Sequence, residues 1–301
     1  MRDLMLRYHV VEASMESTSV YWTPIWCVFS PLFKLNLANP YFIRQLPRRK
    51  SDVKDARWIA EYTGKELIRG SFVPPEVIQQ LCLYDRIFDL NREIARNLSK
   101  IDAVPQRCNI RLSNYVSNID GKSYKAMVKG ISEETTDPEE LVKLIHGRIV
   151  SHHGKDIILA SLKDVVSPAE TDMIAQLREE TDLAEKHREK CREKRLEICG
   201  EKFPEELKRL QTIPEIKERS ATSLIVEIGT DMDKLETAAH LSSWSGLKPR
   251  NDESNKKIKS RSITHGNVYL RKTIMECARA AGRNTFSIIK TDFILPYLGR
   301  S

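Results

Sequence analysis

The run Arg48-Arg49-Lys50-Ser51-Asp52-Val53-Lys54-Asp55-Ala56-Arg57-Trp58 sets two aspartates three residues apart in an otherwise cationic stretch, and the reading of the N-terminal fold turns on it. With Ser51 capping a helix, both carboxylates lie on one face of its first turn, close enough to share a divalent cation. The surrounding guanidinium and ammonium groups suit phosphate. A serine cap followed by aspartate in the first turn is also ordinary helix-start grammar that offsets the macrodipole. The pair alone therefore does not define a site.

Working outward, residues 8–13 (Tyr-His-Val-Val-Glu-Ala) predict a short strand, with Glu16 just beyond it in Glu16-Ser17-Thr18. A carboxylate at a strand end is well placed for an α/β active site. Residues 20–29 are apolar and aromatic and predict a helix, with Pro24 tolerated near its start. Residues 34–37 alternate polar and apolar like a second strand, and Asn39-Pro40 breaks it before the helix near Ser51. The order strand, helix, strand, helix predicts a parallel α/β sheet. Two strands are too few to stand alone, so further strands are expected from elsewhere or from before the first residue.

From Pro74 the texture becomes helical. Ile78, Leu81, Ile87, Leu90, Ile94 and Leu98 predict one helix over 76–101, and further helices are expected over 106–129 and 137–147. Ser167-Pro168 opens a long charged helix to about Cys199, with serine as cap and proline at the first position. Leu177, Ala184, Cys191 and Ile198 recur every seven residues in it, but Thr181, Arg188 and Arg195 occupy the partner positions. Such a seam fits a dimerising helix or one packed within its own chain. After Phe203-Pro204, helices are expected near 220–227, 237–243 and 268–281, with residues 210–217 forming a tight hairpin between two helices.

The chain has 301 residues, 41% hydrophobic and 30% charged, which suits two or three domains with much charged surface. The 49 basic and 42 acidic side chains leave +7, a modest excess whose clustering must carry any argument for a polyanion. Six scattered cysteines form no CxxC pair and read as reduced thiols. The most apolar stretch, 20–33, is too short to span a bilayer, and a soluble cytoplasmic protein without membrane partners is expected.

A second chemical centre lies between Lys248 and Lys272, with eight basic residues against two acidic ones: Lys248, Arg250, Lys256, Lys257, Lys259, Arg261, Arg271 and Lys272. A loop this basic, rich in Gly, Asn and Ser, can bring N–H groups and cations to a phosphate backbone. It also reads as a plain solvated loop. A serine among these lysines could attack a phosphodiester, but composition does not choose Ser254 over Ser245, Ser260 or Ser262.

The quoted motifs, in order, resemble the IS110 type of insertion-sequence transposases, which join an N-terminal RuvC-like DEDD domain to a C-terminal serine-bearing domain. The resemblance rests on residues 15–22, 49–60 and 70–75, and in the C-terminal half on 210–216, 220–222, 240–249, 251–254 and 266–271. It implies an α/β plus all-α chain. Residues 1–130 would form a partial RuvC/RNase H-like parallel sheet domain, 131–204 a helical linker with a coiled-coil-like helix, and 205–301 a mainly helical transposase domain with a basic serine loop.

The resemblance further implies a DNA transposase, or site-specific recombinase, using Mg2+. Glu16 would be the second acid of the quartet, Asp52 and Asp55 the third and fourth, and Ser254 the nucleophile. DNA, a guide RNA in many family members, and further copies of the chain are the implied partners. Departures are equally specific. The first aspartate of the quartet would fall before this chain's first residue, Asp3 being too near Glu16, and the family's final helix would fall after its last. Ser19 stands where the family has glycine, and Glu215 and Lys217 replace hairpin glycines. The expectation is a chain truncated at both ends with impaired catalysis; the competing reading is a non-enzymatic nucleic-acid-binding remnant that oligomerises through its long helix.

Overall fold

The computed structural model describes residues 1–40, 52–68, 70–135, 137–164, 166–235, 237–248, 252–254, 257–260 and 262–284, with backbone alone at 52–55, 252–254 and 257–260. The chain forms two compact units, Met1–Pro75 and a second beginning at Glu76.

The first unit runs α1 (Arg2–Arg7), β1 (Glu12–Glu16), α2 (Trp22–Phe29), β2 (Lys34–Ala38) and α3 (Asp52–Gly64). β1 and β2 pair in parallel from Glu12↔Lys34 to Glu16↔Ala38, and Glu16 closes its strand as expected. The strand expected over 8–13 starts later. His9 sits at φ 51°, its N–H bonds Leu6 O and that of Val10 bonds Met5 O. This αL termination of α1 consumes the backbone groups that a strand would need. Trp58, Ile59 and Tyr62 of α3 pack around Ala38 and Ile68. The Asn36 amide donates to Ile68 O at 3.3 Å. A Cβ on Gly70 would meet Asn36 Oδ1 at 2.4 Å, so a side chain there would displace the Asn36 amide.

The second unit is mainly helical. The helix expected over 76–101 is interrupted: α4 (Glu76–Cys82), a 3-10 turn (Leu83–Asp85), then α5 (Arg86–Arg107). The turn sets Asp85 3.4 Å from Arg195. The helix expected over 106–129 is absent because Asn109, at φ 58°, terminates α5 with Ile110 N–H on Pro105 O. A 3-10 turn (Leu112–Tyr115) and α6 (Lys122–Ser132) replace it. α7 (Pro138–Lys143) is shorter than expected, and α8 (Gly147–His153) and α9 (Lys155–Ala160) follow, divided by Gly154.

α10 (Pro168–Lys202) spans 35 residues and begins with a full capping box between Ser167 and Glu170. It lies antiparallel to α5. Asn97 donates to Glu180 at 3.2 Å, Arg188 donates to Asn91 at 3.1 Å, and Arg195 meets Asp85 at the far end. Between these polar rungs Leu90, Ile94 and Leu98 pack on Ala184 and Cys191. The heptad seam is thus occupied by α5 of the same chain. α5 and α10, assigned from sequence to different parts, share one core, extended by Tyr124, Met127, Leu141, Ile158 and Ile174.

The remaining elements are α11 (Pro204–Gln211), α12 (Glu218–Ile228), a 3-10 turn (Met232–Lys234), α13 (Ala238–Trp244), β3 (Asp252–Ser254), β4 (Lys257–Ser260) and α14 (Val268–Arg283). Ile225 and Val226 of α12 pack with Cys199, Ile78 and Leu81.

Arg195 is 1% exposed, and its Nε and Nη2 have no hydrogen-bond partner. Burial pushes Asp85 up to about 6 while the Arg195 charge opposes that rise; burial also raises Glu227. Removing the guanidinium leaves two half-buried carboxylates without their cation. Arg195→Ala should therefore destabilise the unit by about 3–5 kcal/mol in urea titrations. Because the folded value of Asp85 lies above the unfolded one, its contribution is fully present below about pH 4 and is lost as pH rises through about 6. Asp85→Asn should consequently gain stability relative to wild type between pH 4.5 and pH 7; thermal melts showing a constant difference would contradict this.

Candidate functional site

Glu16 ends β1 half-buried, and the Thr18 hydroxyl donates to its carboxylate at 2.8 Å. Ser17 N–H bonds Ala38 O at 2.9 Å, which continues the ladder past the strand and fixes the backbone at this carboxylate. Two contacts hold α3 against the sheet. Thr63, near its end, donates to Ser14 Oγ at 2.7 Å in the middle of β1. Ile59, one turn earlier, packs in the cluster around Ala38, the partner of Glu16. These contacts hold α3 against the C-terminal half of β1 and β2, the end that carries Glu16.

That is the sheet edge where α/β folds place ligands. The oxygens of three carboxylates would suit a hard cation such as Mg2+. Among the described residues no three His, Cys, Asp or Glu groups converge as a metal-holding set; the side chains of Asp52 and Asp55 and all of Ser51 lie outside the described residues.

The basic segment of the second unit is a hairpin rather than an open loop. β3 and β4 pair antiparallel, with Ser254 opposite Lys257 and a register shift between Asp252 and Glu253. A narrow neck carries it. Thr264 N–H bonds Lys248 O and Asn267 N–H bonds Trp244 O, each at 2.9 Å. Gly246, at φ 70°, lies against Gly266, where an added Cβ would stand 2.2 Å from Gly246 N. Two glycines twenty residues apart were the sequence signal for this neck, legible only once their contact is known.

Ser245 is fully buried and donates to Ser242 O at 3.0 Å, which removes it from the candidate nucleophiles. Lys248 and Lys272 are exposed and Arg271 is half-buried. Lys257 and Lys259 lie on β4, whereas Arg250, Lys256 and Arg261 fall outside the described residues. Lys272 also borders a cleft of about 520 Å³ with Arg192 and Arg219, but Glu189, Glu193 and Glu276 line it too. Acidic side chains outnumber basic ones in its lining, so it does not extend the cationic surface.

Residues 212–217 turn the chain from α11 into α12, as expected of a helical hairpin. Within it Glu215 adopts φ 64°, and in the first unit Ser19 adopts φ 51°. Both positions, noted above as departures from glycine, are held in the left-handed region.

Comparison with known proteins gives one family: residues 207–292 match the model described as Transposase IS116/IS110/IS902 family, a span covering α12 to α14 and the Ser254 hairpin. No match is found among curated proteins.

A side chain in the left-handed region costs roughly 1–2 kcal/mol, partly offset in glycine by greater unfolded-state entropy. Ser19→Gly and Glu215→Gly should each stabilise their unit by about 0.5–1 kcal/mol, whereas alanine at either position should not. Denaturant titrations in which glycine and alanine behave alike would refute this.

Proposed function

We propose, from the match of residues 207–292 to the IS116/IS110/IS902 transposase family, that the chain is a DNA strand-cleaving and strand-transferring enzyme of an insertion sequence. The observation that carries this reading is that the family match encloses the clamped hairpin bearing Ser254 in the most basic stretch of the chain.

In this reading the first unit is part of a RuvC-like DEDD domain. Glu16, Asp52 and Asp55 hold Mg2+, which when bound supplies Lewis-acid stabilisation of charge on phosphate oxygens. Glu16 is oriented for this by the Thr18 hydroxyl and by the backbone bond of Ser17. Ser254 attacks phosphorus: an Oγ–P bond forms, the P–O bond to the departing sugar oxygen breaks, the serine proton leaves, and the departing oxygen takes up a proton. Energy of the phosphodiester is kept in the serine–phosphate link, so a second strand can displace it without an external activator.

Lys248, Arg250, Lys256, Lys257, Lys259, Arg261, Arg271 and Lys272 contact the DNA backbone. They neutralise phosphates and confer salt-dependent affinity. A guide RNA and further copies of the chain are the other partners of this reading. Among the described residues no helix is long and apolar enough to cross a membrane, and a cytoplasmic site of action is part of the proposal.

Incubated with labelled DNA from the borders of its reading frame, the wild-type chain should form a denaturant-resistant protein–DNA adduct. Ser254→Ala should reduce adduct formation at least about 10³-fold with DNA affinity retained. Chelation of divalent cations, and Glu16→Gln, should depress the rate in the same assay. DNA binding without any adduct from the wild-type chain would favour the non-enzymatic alternative.

A further inference from the structure

Asn267 faces three ways at the base of the hairpin. Its N–H donates to Trp244 O at 2.9 Å, closing the excursion onto α13. Its Oδ1 caps α14 by accepting from the N–H groups of Tyr269 and Leu270 at 3.0 and 2.9 Å. Its Nδ2 donates to Glu227 Oε2 at 2.6 Å. Serine or aspartate would cap the helix equally well. Only an amide caps with its oxygen and donates with its nitrogen, so this residue type is explained by Glu227.

Glu227 in turn sits where a carboxylate is costly. It occupies the last turn of α12, the negative end of the helix dipole. Its Oε1 is buried without a hydrogen-bond partner, and burial pushes its carboxyl above the usual range while the Asn267 bond and the Arg195 charge oppose this. Local rules broken at this site, with a specific bond to the hairpin neck as the return, mark a role beyond stability.

We infer that Glu227 is a positioning residue for strand cleavage: through Asn267 it fixes the base of the β3–β4 hairpin, and with it Ser254, relative to α12 and α14. The inference rests on Ser254 being the nucleophile. The link is short and direct. Thr264 and Gly266 close the neck on itself, whereas the Asn267–Glu227 bond ties the neck to the helix whose far side packs against the core.

The test uses the full chain. Asn267→Ser keeps a helix cap and withdraws the amide Nδ2 that reaches Glu227; Glu227→Leu removes the acceptor; Glu227→Gln keeps an acceptor oxygen. Amide hydrogen exchange over 252–260 should quicken about tenfold in Asn267→Ser and Glu227→Leu, with exchange in α5 and α10 unchanged. In both, the adduct-forming rate on the border DNA should fall about tenfold, DNA affinity should stay within about twofold, and Glu227→Gln should restore both readouts. Wild-type hairpin exchange in the two disruptive variants, or faster exchange spread evenly over the unit, would overturn the positioning role. If Ser254→Ala leaves the adduct intact, the functional reading falls while the exchange data still judge the clamp. If Ser254→Ala abolishes the adduct but Asn267→Ser and Glu227→Leu react at the wild-type rate, the positioning role alone falls.

Discussion

A single positive charge, the guanidinium of Arg195, is carried into the interior of the helical unit, and much of the unit is arranged around it. The 3-10 turn between α4 and α5 delivers Asp85 to it, and Glu227 of α12 feels the same charge. A buried cation between two carboxylates adds little net stability compared with an apolar filling, but it punishes any register of α10 against α5 that separates the charges. The rungs Asn97–Glu180 and Asn91–Arg188 impose the same register along the seam. Leucine and alanine contacts alone would tolerate a slip by one turn more readily.

From this junction order passes toward the hairpin: the Arg195 charge acts on Glu227 through space, Glu227 accepts from Asn267, and Asn267 caps α14 and closes the neck. The basic segment, which composition alone would describe as a solvated loop, is thereby an arm with a fixed root. A nucleophile presented this way costs less orientational entropy at the moment of reaction than one on a free loop.

Legibility of the chain depended on how local each cause was. Ser167-Pro168 declares the start of α10 within two residues, and β2 follows from short-range alternation over 34–37, whereas β1 begins four residues later than the β-prone run over 8–13. The early ends of α1 and α5 were not visible, because His9 and Asn109 carry no strong preference for the left-handed turn that stops each helix. The β3–β4 hairpin was missed since Lys257 and Lys259 with one Ile258 make a weak alternation, and its neck depends on the contact of Gly246 with Gly266 across twenty residues. Ser19 and Glu215 are instructive in the other direction: the resemblance marked both as places for glycine, and both have positive φ. The role of Asn267 as a cap was foreseeable, but its bond to Glu227 was not, since nothing local links two residues forty positions apart.

The most direct measurement of the central claim is mass spectrometry of the protein–DNA adduct after nuclease and trypsin digestion. Cleavage after Arg250 and Lys256 isolates residues 251–256, in which Ser254 is the single serine. Nucleotide mass retained on that peptide is the predicted result. The same mass on 235–250, or on peptides containing Ser260 or Ser262, would contradict the assignment of the hairpin serine as nucleophile.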